Sequence, residues 1–402
     1  MLAGMYDQTQ PRSGDETAVS QRRPASPRRL VVRVLTLLAV LVAIDAALGV
    51  ATPTPDYSDD WRMPRTLPTS ELAPFIRYVD GVQASGDEGP VIAFVGASPT
   101  WGDAVRNPHK TVPAGYRREA ERSGTPLNAF NLACNGQLLG DEYFVARRVA
   151  SNSDVIFVQL TYHGFNRQWR DGASRRYPEL ADLLGVPVDE QLAESLGCSP
   201  SPRVDLTGDV ERWIQSRWRL YGQRDRIWAR ALGSRPGPAL FTGWQRLVMP
   251  EFAGEVDSSP SNQPFDSLEP DAQMLVIDEF ASAGDYRFDP RDSEVRVLER
   301  LASDLQQGGK RAVFYLSPLN VEALRSFDLY DEKRYRQNVD PLRRIVETRG
   351  HRFIDLNDER AIPSAAFADV NHTTEAGSRL VAERLWAATK DLVAASGGTA
   401  AR

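Results

Sequence analysis

Residues 91–102 read VIAFVGASPTWG, and this stretch decides the fold. Five apolar residues run unbroken into a glycine-framed turn that carries Ser98, the pattern of a short strand buried on both faces. Residues 155–160, VIFVQL, repeat the pattern, as do AFNLAC at 129–134, RAVFYLSPLN at 311–320 with its polar end, and HRFIDL at 351–356. Between them lie stretches of helical period: PAGYRREAERSG (113–124), GDEYFVARRVAS (140–151), SEVRVLERLASDLQQGG (293–309) and KRYRQNVDPLRRIVETRG (333–350). A closing helix is expected in EAGSRLVAERLWAATKDLVAA (375–395). Strands alternating with helices imply right-handed crossovers. The expected fold is therefore α/β, a doubly wound, mainly parallel five-stranded sheet with helices on both faces.

The 402 residues suffice to bury a sizeable core, with 42% hydrophobic and 25% charged residues. A net charge of −6 gives no basic face for nucleic acid. Arginine carries nearly all the positive charge, which reads as coding bias. Cys134 and Cys198 are too few for a disulfide scaffold or a zinc cluster. They remain a possible disulfide only if the fold brings them within bonding distance. No cluster has metal-ligand spacing and no glycine-rich loop has phosphate-binding form, so neither metal nor cofactor is expected.

The ends of the chain differ from its body. Residues 1–29 are polar, proline-containing and basic at QRRPASPRR, and read as a disordered cytoplasmic tail. Residues 30–51, LVVRVLTLLAVLVAIDAALGVA, have the length of a transmembrane anchor, broken only by Arg33 and Asp45. Arginines before this run place the N-terminus inside and the remainder outside the cell membrane. A cleaved signal peptide ending near Ala51 is the competing reading. Residues 52–80 read as a linker and 81–402 as the folded body, with an insertion over about 166–290. Within the insertion, DVERWIQSRWRLYGQRDRIWARALG (209–233) places Trp213, Leu220 and Ile227 on one helical stripe. That stripe packs on the body, or contacts a membrane surface or partner.

In such sheets ligands sit beyond the C-terminal strand ends. Ser98 follows the first strand, Gly136 the second, and Thr161–Asn166 the third, while Asp369 and His372 stand three apart before the last helix. Serine needs a base within hydrogen-bond reach, and that base needs an orienting group, which His372 and Asp369 supply. The N–H groups of Ser98 and Gly136 and the amide of Asn166 are candidate oxyanion donors. His163 is read as a polar neighbour of the site, His109 and His351 as structural or exposed, and DLNDE (355–359) as a solvated loop.

These blocks resemble the SGNH (GDSL-type) hydrolase superfamily. Its GDSxxxG block is similar to Gly96-Ala97-Ser98-Pro99-Thr100-Trp101-Gly102, with Ala97 where the family has aspartate. Its second-block glycine corresponds to Gly136. Its GxND block resembles Gly164-Phe165-Asn166-Arg167, losing the final aspartate, and its DxxH block resembles Asp369-Val370-Asn371-His372. The resemblance spans residues 91–377 and implies a flavodoxin-like fold with Ser98, His372 and Asp369 as a catalytic triad. The layout of anchor, body and insertion is similar to accessory acyltransferases of bacterial envelope polysaccharides, such as the alginate O-acetylation proteins and the D-alanyl transfer protein of teichoic acids. It implies an O-acetyltransferase whose partners are a polysaccharide acceptor, an acyl donor and a polytopic membrane-bound O-acyltransferase. An anchored or secreted esterase and a non-catalytic glycan-binding subunit are the alternatives.

Overall fold

A computed structural model describes residues 27–51, 57, 61–62, 69–85, 89–170, 177–198, 200, 263–284, 286–358 and 362–397. The polar tail before residue 27 and the Trp213 stripe lie outside these residues, as does the side chain of Asp45.

The chain divides into two compact units, Met1–Pro53 and Thr54–Arg402. The first contains helix α1, Pro27–Ala51, which includes the apolar run expected at 30–51. Val31, Val32, Leu35, Leu37, Leu38, Val40, Val42 and Ile44 stand 42–63% exposed. The one hydroxyl between Val31 and Ile44, that of Thr36, returns its proton to the Val32 carbonyl at 2.9 Å. Among the described residues, no helix is long and apolar enough to cross a membrane.

The second unit is built on five strands, β1 (Val91–Val95), β2 (Asn128–Asn131), β3 (Val155–Leu160), β4 (Arg311–Leu316) and β5 (Arg352–Asp355). All neighbours pair in parallel, in the order β2-β1-β3-β4-β5. Every residue of β1, β2 and β3 is buried, as an unbroken apolar run requires when helices cover both faces.

Alternate residues of each strand supply two separate cores. Val91, Ala93 and Val95 of β1, with Ile156, Val158 and Leu160 of β3, face one cluster. That face is covered by α2 (Thr69–Ser85) and, further along, by α5 (Leu139–Val149). Ile92, Phe94, Val155 and Phe157 face the other, where Phe94 and Phe157 stack with centroids 4.4 Å apart. Between α2 and α5 in the chain come the single turn α3 (Ser98–Trp101) and α4 (Val112–Arg122). Downstream are α6 (Arg167–Arg170), α7 (Tyr177–Leu184), α8 (Glu190–Leu196), α9 (Pro270–Gly284), α10 (Ser293–Gln307), α11 (Val321–Ser326), α12 (Glu332–Glu347) and α13 (Glu375–Gly397). Helices α10 and α12 complete the first face, and α4 with α13 forms the second. The sheet is thus wound on both sides.

Two stretches depart from expectation. Residues 52–80 include most of α2, whose Leu72, Phe75, Ile76 and Val79 are fully buried at helical spacing. Tyr57 stacks on Phe75 and Trp61 packs tilted against it, with centroids 5.3 and 4.6 Å away, so the described residues of the supposed linker are part of the core. The proline-rich exit from α1 masks that period in the sequence. The start of the insertion is likewise no appendage, since Leu180, Leu184, Leu192 and Leu196 of α7 and α8 join the first core against α5 and α10.

Candidate active site

β1 is flanked by β2 on one side and β3 on the other, so its C-terminal end opens the crevice where the winding reverses. Ser98 stands three residues past Val95, at the first position of α3. The turn is tight because Gly96 lies against β3: a Cβ there would come 2.6 Å from the Gln159 Cβ. Gly102, at φ 89°, ends α3 in the left-handed region and returns its N–H to the Ser98 carbonyl at 2.9 Å. Four residues make too short a helix for much dipole, so activation of Ser98 must come from a neighbouring base.

That base is His372. Its Nε2 lies 2.8 Å from the Ser98 Oγ, and its Nδ1 lies 2.6 Å from the Asp369 Oδ2. The other Asp369 oxygen accepts the N–H of Asn371 at 2.8 Å and of His372 at 2.7 Å, which fixes the carboxylate within its own turn. Burial pushes the Asp369 carboxyl up, but the His372 charge and these hydrogen bonds outweigh it and hold it below the usual carboxylate range. An ionised Asp369 selects the tautomer with a proton on Nδ1. Nε2 is then free to accept from Ser98.

The turn carrying both residues is fastened from three sides. The Ala368 N–H donates to the His372 carbonyl at 2.8 Å, closing the loop. Asn320, following β4, donates its N–H to Val370 at 2.8 Å, and Phe265, from the end of the insertion, donates to Phe367 at 2.7 Å. Gly377 lets α13 begin directly beneath, because a Cβ there would meet the Ala366 carbonyl oxygen at 2.1 Å.

A cavity of about 180 Å³ opens beside Ser98 and His372. Gly136 lines it at φ 73°, and neither its N–H nor that of Ser98 donates a hydrogen bond among the described residues. Both remain available to a developing oxyanion. Asn166 differs from expectation. It does not line the cavity, and its Oδ1 accepts the Gln168 N–H at 3.0 Å, capping α6. His163 does line the cavity, edge-on to Trp169 with centroids 4.3 Å apart. Burial first, and then the charge of His372, hold its pKa down to about 3, so it is neutral across the physiological range.

Other side chains of the site gave less signal in the sequence. Gln159, in an otherwise apolar strand, accepts the Thr100 N–H at 3.0 Å and the Thr100 hydroxyl, and donates to Thr161 at 3.0 Å. Gln137, Glu142 and Glu294 also line the cavity, 4%, 2% and 3% exposed. Burial, followed by Glu294 and Asp141, pushes Glu142 well above the usual carboxylate range. Burial raises Glu294 to about 7 against the opposing charge of Arg170. Arg170 is itself buried in a bidentate pair with Asp292, at 2.8 and 2.7 Å. A glutamate within a helical pattern ordinarily reads as solvent-facing, which hides Glu142 and Glu294.

Cys134 is buried and Cys198 half-buried, and the possible disulfide between them is not formed. His351 is buried, its Nε2 2.8 Å from the Ala302 carbonyl. The acidic run is only partly a solvated loop. Asp355 accepts the Tyr335 hydroxyl at 2.8 Å, and Asn357 accepts the Leu319 N–H at 2.5 Å, tying β5 to the end of β4. No group of metal-ligating side chains occurs among the described residues. No family model matches the chain, and comparison with curated proteins returns no match.

Proposed function

We propose that this protein is an SGNH-like serine acyltransferase that moves an acyl group onto a hydroxyl of an extracytoplasmic glycan. The observation that carries the proposal is the continuous chain Ser98–His372–Asp369, at 2.8 and 2.6 Å, opening onto a cavity at a sheet switch point. The Ser98 Oγ attacks the acyl carbonyl as His372 Nε2 takes the hydroxyl proton. The N–H groups of Ser98 and Gly136 receive the oxyanion. Collapse breaks the bond to the donor's leaving group, which takes the proton from His372, and leaves an ester on Ser98. The acceptor hydroxyl then gives its proton to His372 and attacks that ester, and Ser98 recovers the proton as it departs. Water in place of the acceptor makes the same site an esterase.

The glycan acceptor and an extracytoplasmic membrane location rest on the sequence layout, with the basic flank and apolar run at 30–51 as anchor. A polytopic acyltransferase supplying the donor belongs to the same reading. The test is incubation of the purified body with an aryl acetate, with and without an oligosaccharide. Ester on the acceptor and an acyl adduct on Ser98 are expected. Turnover should fall at least about a hundredfold in Ser98→Ala and His372→Ala. Unchanged turnover in a folded Ser98→Ala protein refutes the mechanism.

A further inference from the structure

The inner wall of the cavity carries polar groups that the triad does not use. The Gln137 side chain is 4% exposed, and neither its Nε2 nor its Oε1 has a hydrogen-bond partner among the described residues. The Oε2 of Glu142, 2% exposed, has none either. All three atoms belong to residues lining the same cavity as Ser98. Leaving a buried donor or acceptor unsatisfied costs about 1 to 3 kcal/mol each, so such a wall is built to meet a ligand.

The chemistry of that ligand follows from what the wall lacks. Among the described residues, two carboxyl groups and neither lysine nor arginine line the cavity, which disfavours an anionic end. An ammonium satisfies the acceptors but has no lone pair for the Gln137 Nε2 donor. A hydroxyl both donates and accepts. Exchanging the two ends of the Gln137 amide leaves this argument intact, since both ends lack partners. Leu138, Leu160, Phe165 and Trp169 add apolar wall beside these polar groups, which suits a short carbon chain between the ester carbonyl and the hydroxyl. At roughly 30 Å³ per small group, an acetyl leaves most of the 180 Å³ unfilled.

We infer that Gln137 and Glu142 belong to an acyl subsite for a hydroxylated acyl group longer than acetyl. This rests on the acyl-transfer reading above and departs from the acetyl group that the layout implies. The probes are p-nitrophenyl esters of acetate, butyrate, 3-hydroxybutyrate and 3-aminobutyrate. A kcat/KM for the hydroxybutyrate at least about tenfold above the butyrate and the aminobutyrate is expected. Gln137→Leu should bring the hydroxybutyrate-to-butyrate ratio to about one, and Glu142→Gln, which keeps a neutral donor, should preserve it. Butyrate or aminobutyrate turning over as well as hydroxybutyrate overturns the inference, as does a Gln137→Leu protein with an unchanged ratio. Thermal melts show whether each variant is folded. Binding of 3-hydroxybutyramide and butyramide to Ser98→Ala protein, followed by ligand NMR, reads the subsite without catalysis. Selective binding of the hydroxyamide without turnover of any ester supports the subsite and removes the acyl-transfer reading. Equal binding of the two amides removes the subsite.

Discussion

Replacing Gly377 with alanine tests how the base is held. The added Cβ would stand 2.1 Å from the Ala366 carbonyl oxygen and 2.8 Å from the Thr373 Cβ, whereas an unstrained C···O contact is about 3.3 Å. Backbone is less able to give way than a flexible side chain, so α13 and the 366–374 turn must separate by roughly 1 Å. That carbonyl also accepts the Thr374 N–H at 2.9 Å and its hydroxyl at 3.1 Å, and both bonds stretch. Overpacking at about 1 to 3 kcal/mol and two weakened hydrogen bonds at about 0.5 to 1.5 kcal/mol each give a loss of roughly 2 to 6 kcal/mol. In a body of this size the melting temperature should drop by about 3 to 8 °C. His372 lies on the displaced turn, and a misplacement near 1 Å is worth about a hundredfold in rate. Denaturant unfolding and kcat/KM on an aryl ester measure the two effects separately. A Gly377→Ala protein with stability within about 0.5 kcal/mol of wild type and full activity would refute this account of the turn.

Asn166→Ala should cost about 1 kcal/mol through loss of the α6 cap and less than tenfold in kcat/KM; a hundredfold rate loss in folded protein would restore Asn166 as an oxyanion donor. Asp369→Asn should lower kcat by at least about a hundredfold by presenting the wrong partner to Nδ1, and a tenfold effect or less would remove the orienting role. The Glu294 carboxyl, raised from 4.5 to about 7 by burial, binds its proton more tightly in the folded state. Its contribution is complete below about pH 4.5 and is lost as pH rises through about 7, a stability decline of roughly 3 kcal/mol that Glu294→Gln should flatten. Equal slopes in urea titrations of the two proteins at pH 5 and pH 8 would contradict it. Cysteines introduced after residue 55 should react with a reagent outside intact cells and those before residue 29 should not, whereas a released chain beginning near Thr52 would identify a signal peptide.

The sheet was legible because each strand is an uninterrupted apolar run, a pattern that helices on both faces require. All five expected strands occur within four residues of their expected ends. Ser98, Gly136, Asp369 and His372 were legible for a related reason: each follows a strand or precedes a helix, where topology gathers chain segments at one edge. Gln137, Glu142 and Glu294 were not, because burial of a polar residue depends on which helix face meets the sheet, and α5 buries nearly all of its first two turns. In the same way, α2 was hidden by the polar and proline-rich residues before it. The cap formed by Asn166 was invisible because an asparagine serves equally as a cap or an oxyanion donor in sequence.

Residue 97, just before the nucleophile, is an alanine, and the geometry around it shows how the turn is held without a capping side chain there. Ala97 is 7% exposed and contributes no side-chain cap to α3. The turn is held instead from the sheet side. Gln159 on β3 binds the backbone and side chain of Thr100, Tyr315 on β4 also bonds the Thr100 hydroxyl, and the Asn131 Nδ2 on β2 donates to the Thr100 carbonyl at 3.2 Å. Three strands therefore grip one residue of α3. Burial drives the Tyr315 hydroxyl pKa upward, so it stays a neutral donor and brings no charge beneath the nucleophile. With Gly96 pressed against Gln159, Ser98 is placed by the parallel register of β1, β2, β3 and β4. Residue 97 is left free to be any side chain small enough for the cavity wall it lines.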